Sequence, residues 1–180
     1  MDEDFLIIAI TSPDEVKDEA KRIDSLISSG KVNYVHLRKP SWDIYQMKSL
    51  IQKIPSSLHS KLKIHDNFSL LDEFDLGGIH LNFRNPSPHP KAKKISRSLH
   101  SIKELIDLHP DLAYEYVTLS PIFDSISKEG YKSGFDLDKI SGILPGKNVI
   151  ALGGVSPDKI PLLKEKGFYG AAMLGYFWKQ

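Results

Sequence analysis

Five short stretches of this chain carry polar, titratable residues at every second position: His36 and Arg38; Lys63 and His65, with Asp66 and Asn67 just beyond; His80 and Asn82; Ser96, Ser98 and His100; and Tyr116, Thr118 and Ser120. In a β-strand alternate side chains point to opposite faces. Each set therefore shares one face, with Val35 and Leu37, Leu62 and Ile64, and Ile79 and Leu81 on the other. Imidazole exchanges protons near neutral pH, and a guanidinium grips anions. A single inward histidine is commonly a hydrogen-bonded core residue; such groups at consecutive strand ends read as a site. His36, His65 and His80, inward on neighbouring strands, also form a set that could hold a transition metal such as zinc, which favours imidazole.

A second cluster lies near the C-terminus, in NVIALGGVSPDKIPLLKEKGFYGAAMLG, residues Asn148–Gly175. It reads as a strand (Asn148–Leu152), a Gly-Gly turn, a helix from Ser156 to Lys166 and a strand (Tyr169–Leu174). Gly153 and Gly154 carry no side chain, so a ligand can approach their backbone. Ser156 is placed to cap the helix, with Pro157 in the first turn. Leu174 and Gly175 bare the main chain again at the next strand end. Adjacent strand ends with free amides, near the positive end of a helix dipole, make an anion cradle. The other reading of the glycines is a tight strand-to-helix turn. The loop DSISK adds Ser125, Ser127 and Lys128, which with Arg38 could hold a second anion or could be a solvated surface loop.

These groups need a scaffold, and the 180 residues, 41% of them hydrophobic, suffice for one core and one domain spanning 1–180. The 24 basic and 23 acidic residues leave a net charge of +1, which argues against general nucleic-acid binding. With no cysteine, disulfides, thiolate metal sites and a cysteine nucleophile are excluded. No apolar run approaches the roughly 20 residues that span a membrane, and the acidic opening Met-Asp-Glu-Asp is unlike a signal peptide, so a cytoplasmic protein is expected.

Phe5–Ile10 reads as a strand buried on both faces, followed by a helix from Pro13 to Ser29. Strands follow at Val32–Arg38, Lys61–His65, Gly78–Leu81, Lys94–Ser98 and Tyr114–Leu119. Helices are expected from Ser41, over Phe68–Phe74, over Ser101–His109 with Glu104 completing a capping box, and from Asp136 to Leu144. Lys91, Lys93 and Lys94 read as a solvated edge. Eight strands alternating with seven helices imply an α/β fold with a parallel sheet, closing into a compact (β/α)8 TIM barrel; an open doubly wound sheet is the competing architecture. Only Tyr176, Phe177 and Trp178 stand where an eighth helix should be, so the last helix is reduced or absent. Bare apolar surface at that seam implies a homodimer. In such barrels a phosphate binds on the loops after strands seven and eight, and the active site lies at the carboxyl ends of the strands.

In order and spacing, VHLRKP, KIHDN, GIHLN, SRSLHS, EYVTLSPIFDSISK, VIALGGVSPDKI and GAAML resemble the thiamine phosphate synthase and TenI family over nearly the whole chain. The resemblance implies thiamine biosynthesis and a thiazole phosphate bound at Gly153, Gly154, Leu174 and Gly175. The synthases of this family join a pyrimidine diphosphate to thiazole phosphate with magnesium, expelling pyrophosphate. Their Gln-x-Arg-x-Lys is here His36-x-Arg38-x-Pro40, with Lys39 turned the other way by alternation. Their Asn-Asp is His65-Asp66, keeping one magnesium carboxylate, and Asn82-Phe83-Arg84-Asn85 contains no second one. Their Thr-x-Thr-Lys is Ser125-x-Ser127-Lys128.

TenI-type members are similar in fold but aromatise a thiazole carboxylate phosphate without metal, using a histidine in a motif that Arg97-Ser98-Leu99-His100-Ser101 resembles. The resemblance thus implies a thiazole tautomerase with His100 as acid and base, no cofactor, and His36, Arg38, His65, Asp66, Asn67, Ser98, Ser125, Ser127 and Lys128 about the substrate. The alternative is a thiamine phosphate synthase with magnesium on Asp66. A further alternative is a non-catalytic binder of a phosphate ligand.

Overall fold

The computed structural model describes residues 5–108, 113–124 and 134–178. Eight parallel strands pair in chain order: β1 (Leu6–Ile10), β2 (Tyr34–Leu37), β3 (Leu62–Ile64), β4 (Gly78–Leu81), β5 (Ile95–Leu99), β6 (Tyr116–Leu119), β7 (Val149–Leu152) and β8 (Gly170–Met173). β8 returns to β1, pairing Ile8 with Ala172, and closes the barrel. Closure removes every sheet edge. β1, β7 and β8 read as the near-continuous apolar runs of strands covered on both faces, whereas β2 to β6 alternate apolar and polar residues.

The outward side chains pack beneath the connections in two apolar clusters. One gathers Val35, Leu37, Leu62, Ile64, Ile79 and Leu81 under the first half of the chain, and the other Leu99, Val117, Leu119, Val149, Ala151 and Ala171 under the second. The interior is divided as well. Ile8, Ile10, Ile150 and Ala172 make an apolar side along β7, β8 and β1. The residues inside β2 to β6 are polar, with His36, Lys63, His80, Ser96 and Thr118 all buried. Two-residue alternation thus placed these side chains correctly.

The connections differ from expectation at several points. α1 covers Glu19–Ser28 rather than starting at Pro13, because Asp18 takes a left-handed backbone (φ 54°) that no continuous helix passes through. α2 (Ile44–Gln52) starts where Asp43 and Gln46 make reciprocal capping bonds, not at Ser41. α3 (Ile102–Ile106) is capped by Ser101, whose side chain accepts from the Glu104 amide. The Glu104 carboxylate reaches the His100 amide, one residue before the cap, at 2.5 Å. α4 (Leu137–Ser141) follows, and α5 (Ile160–Glu165) is preceded by a 3-10 turn at Pro157–Lys159. Ser156 does not cap that turn; its hydroxyl donates to Asp158.

Residues 82–94, between β4 and β5, contain no helix, so the expected seven helices between strands are not all formed. α6 (Gly175–Trp178) is a single turn in place of an eighth helix. Trp178 is buried there and donates its indole N–H to the Ile10 carbonyl at 2.6 Å, while Arg22 bonds the Phe177 carbonyl at 3.1 Å. The seam between β8 and β1 is therefore partly covered from within the chain.

Candidate active site

The amino end of the barrel is shut by an ionic plug. Glu115, just before β6, accepts from Lys63 at 2.5 Å, Lys94 at 2.6 Å and Tyr34 at 2.9 Å. Burial raises the Glu115 carboxyl, but the two ammonium groups and the phenol outweigh it and hold the group below its ordinary range. Lys94 is thus part of the plug rather than a solvated edge. Lys93 and Lys91 pair with Asp75 and Asp72 on the surface.

Above the plug lies a layer of imidazoles. His36 bonds the Tyr116 hydroxyl through Nε2 at 2.7 Å and His65 Nε2 through Nδ1 at 2.9 Å. His80 bonds Ser96 and Ser98 through its two nitrogens, at 2.8 Å each. Burial, reinforced by neighbouring positive charge, pushes all three well below the ordinary histidine range, His80 to about 3. They are neutral. His36 and His65 therefore lie beneath the mouth, not on it.

The mouth begins where β2, β3 and β4 end. Thr11, following β1, fixes the exit of β2 by accepting from the Arg38 amide at 2.8 Å and donating to its carbonyl at 3.2 Å. The Arg38 guanidinium is half-buried, and burial and the nearby Arg84 cation both work against its charge. Asp66 accepts from Arg84 at 3.0 and 3.4 Å and from the Asn85 amide at 2.8 Å. Asn82 and Asn85 both donate to the His65 carbonyl, at 2.9 and 3.1 Å, which ties the β3 and β4 ends together. Arg84 was visible in the sequence only as a missing carboxylate, and its pairing with Asp66 had no local signal there. Asn67 holds a left-handed turn (φ 56°) and reaches sideways to the Trp42 carbonyl at 3.5 Å.

Lys39 is turned away from the axis, as alternation requires. It is fully buried against α1, paired with Glu19 at 2.8 Å and donating to the Asp14 carbonyl at 2.6 Å. Across the mouth, at the end of β5, His100 Nδ1 meets the Ser120 hydroxyl at 3.2 Å, leaving Nε2 without a protein partner among the described residues. Ser98 bonds His80 rather than His100. Ser125, Ser127 and Lys128 lie outside the described residues.

The Gly-Gly turn has a reason beyond ligand approach. Gly153 and Gly154 both adopt positive φ, 89° and 63°. A Cβ on Gly153 would stand 2.8 Å from Pro121 Cα, and one on Gly154 2.4 Å from the Asp124 carbonyl oxygen. The missing side chains let the β7 exit press against the β6 exit, where Phe123 donates to the Gly153 carbonyl at 3.0 Å. The amides of Gly153, Gly154, Leu174 and Gly175 find no protein acceptor among the described residues, which is the donor set an anion needs.

Taken together, the carboxyl ends of the strands present free amides on one side, His100 with the Ser120 hydroxyl beside it, and two guanidiniums around one carboxylate opposite. A groove of about 630 Å³ between α1 and α2, lined in part by Val16, Glu19 and Trp42, lies outside the barrel wall and contains none of these groups.

A family profile described as thiamine monophosphate synthase matches residues 7–176. The thiamine-phosphate synthase of Latilactobacillus sakei subsp. sakei (strain 23K) is 26% identical over 132 residues, 68% of this chain and 58% of that protein. That of Syntrophomonas wolfei is 24% identical over 160 residues, 81% of this chain and 74% of that protein. The chain thus spans little more than half the length of some of the curated relatives it matches. The crystal structure of thiamine phosphate pyrophosphorylase from Bacteroides thetaiotaomicron superposes with a TM-score of 0.81 at 35% identity, covering 95% of this chain and 83% of that one. The Pyrococcus furiosus thiamine phosphate pyrophosphorylase, at 16% identity, shares the fold with a TM-score of 0.73, covering 95% of this chain and 86% of that one. A closed eight-stranded barrel with this mouth, matched along nearly its whole length, places the chain in the thiamine monophosphate synthase/TenI family.

Proposed function

We propose that the protein is a TenI-like thiazole tautomerase, acting on a thiazole carboxylate phosphate with His100 as acid and base. The phosphate would sit on the amides of Gly153, Gly154, Leu174 and Gly175. The carboxylate would face Arg38 and Arg84. His100 would take a proton from one carbon and return one to another, with Ser120 holding Nδ1 and Nε2 left for the ligand. The reaction moves a proton and leaves the atom count unchanged.

The observation that carries this reading is the occupancy of Asp66. The related synthases imply magnesium, a hard ion held by carboxylates and substrate phosphates. Here the single carboxylate is bonded to Arg84 and Asn85, with Arg38 also within electrostatic reach. Two guanidiniums and one amide around one carboxylate do not fit a divalent cation, and no step is routed through one. The same groups suit a second anionic end of the substrate.

The names of the relatives support a second reading, a thiamine phosphate synthase. One experiment separates the two. The purified chain is given the thiazole carboxylate phosphate alone, then thiazole phosphate with the pyrimidine diphosphate and magnesium. Aromatisation that survives chelator and is lost by at least about 10²-fold in His100→Asn is the expected result. Thiamine phosphate formed at a useful rate would put the synthase first. Ligand binding with neither reaction would leave a non-catalytic binder. The homodimer also stands as a proposal, with Tyr176, 55% exposed, the apolar group left at the seam; sedimentation velocity reads it directly.

A further inference from the structure

The imidazole layer beneath the mouth has no part in the proton transfer, and its geometry is that of a ligand set. We propose that His36, His65 and His80 bind one divalent transition-metal ion inside the barrel. One ligating nitrogen from each lies within 4.8 Å of the others, and all three residues are buried. Their ring centroids are 5.0, 4.9 and 4.3 Å apart. Three imidazoles on one tetrahedral ion, with metal–nitrogen distances near 2.0–2.1 Å, set their centroids about 5 Å apart. To reach that arrangement the ligating nitrogens close from within 4.8 Å to about 3.3 Å of one another, and the His80 ring turns from its stacked packing on His65.

The supporting bonds fix which atoms would ligate. The Ser96 hydroxyl donates to the Ile79 carbonyl at 3.2 Å and so accepts from His80 Nδ1, which puts the His80 lone pair on Nε2, where it accepts from the Ser98 hydroxyl at 2.8 Å until an ion displaces that proton. Tyr116 holds His36 by Nε2, leaving Nδ1. Such outer bonds are what orient histidine ligands in metal centres. His36 Nδ1 and His65 Nε2 face each other at 2.9 Å and share one proton, which an entering cation would displace. Ser98, 2.8 Å from His80 Nε2, or a water would take the fourth position. Burial keeps the rings uncharged, the form that ligates.

The ion is identified by the donors. Three neutral nitrogens without a carboxylate suit Zn²⁺, Co²⁺, Ni²⁺ or Cu²⁺ and are poor ligands for magnesium or calcium. The route in is from the mouth, where His65 is the first residue beyond β3. This site stands whether or not the tautomerase reading does.

The test uses the full chain, stripped by chelator and titrated with Co²⁺ alone. One equivalent bound, with the visible absorption of tetrahedral cobalt, is expected. His36→Gln and His65→Asn should each weaken binding by about 100-fold or more, since altering only an outer-shell bond already costs 10–100-fold. His89→Gln, at a surface imidazole paired with Asp72, should leave it unchanged. If a variant does not fold, X-ray absorption of the wild-type zinc protein decides: three nitrogen scatterers near 2.0 Å support the site. No stoichiometric cobalt in the folded wild type, oxygen-only ligation, or undiminished binding in a folded His36→Gln protein would overturn it.

Discussion

Lys39 shows how one step of alternation separates structure from chemistry. Its neighbour Arg38 opens into the mouth, whereas Lys39 is buried behind the wall with Glu19. Burial pushes the Glu19 carboxyl up, and the Lys39 ammonium counters it. Removing one partner of a buried pair strands the other, which typically costs 3–5 kcal/mol. Lys39→Met is therefore expected to lower stability by about 3 kcal/mol in urea unfolding, with thiazole phosphate affinity unchanged. A loss of affinity without loss of stability would place Lys39 in the site. At this scale much was legible in the sequence, because alternation assigns a face to each residue. The inward turn of His36, His65, His80, Ser98 and His100 followed from it. The Arg84–Asp66 pair did not, since it joins two loops 18 residues apart and no periodicity governs loops.

The strand exits β6 and β7 act together as one element of the site. Their contact depends on Gly153, where a methyl group would meet Pro121 and the backbone would have to hold φ 89°. Gly153→Ala is expected to cost about 1–3 kcal/mol and to weaken phosphate binding, read by thermal shift and by titration with inorganic phosphate. Unchanged values for both would remove the argument for a packed exit. The sequence marked the Gly-Gly turn, yet its reason was only half visible there. A missing side chain permits ligand approach, but what fills its place comes from another strand. Helix starts were misread for a related reason. Val16 stands at helical spacing from Ala20, Ile23 and Ile27, while the left-handed turn at Asp18 that delays the helix has no periodic signature.

For the whole molecule, the plug at Glu115 fastens β2, β3, β5 and β6 at the closed end. Its carboxyl is held below the ordinary value of 4.5, so the unfolded chain takes up the proton first as pH falls. Stability from this group is present above about pH 4.5 and is lost as pH drops through the folded value, by at most about 1.4 kcal/mol per pH unit. Urea midpoints at pH 7, 5 and 4 should therefore fall more steeply for wild type than for Glu115→Gln at the acid end. Parallel curves would show that the plug contributes no such linkage. The barrel itself was legible as three apolar runs and five alternating ones set between helical stretches, and the shortened ending as Tyr176 to Trp178. What could not be read was that Trp178 would reach back to Ile10, a pairing across 168 residues.

The two apolar clusters behind the wall have a dynamic consequence. One is built almost wholly from the first half of the chain and the other from the second, with a polar column between them on the β2 to β6 side. Neither half needs the other's outer packing to keep its own strands shielded from water. Sub-global opening free energies follow such cooperative units. Native-state amide exchange in low urea should thus resolve two groups of protected amides, β2 to β4 and β6 to β8, melting at separate denaturant concentrations. A single merged isotherm would mean that the ring of backbone bonds, rather than the packing behind it, sets the unit of unfolding.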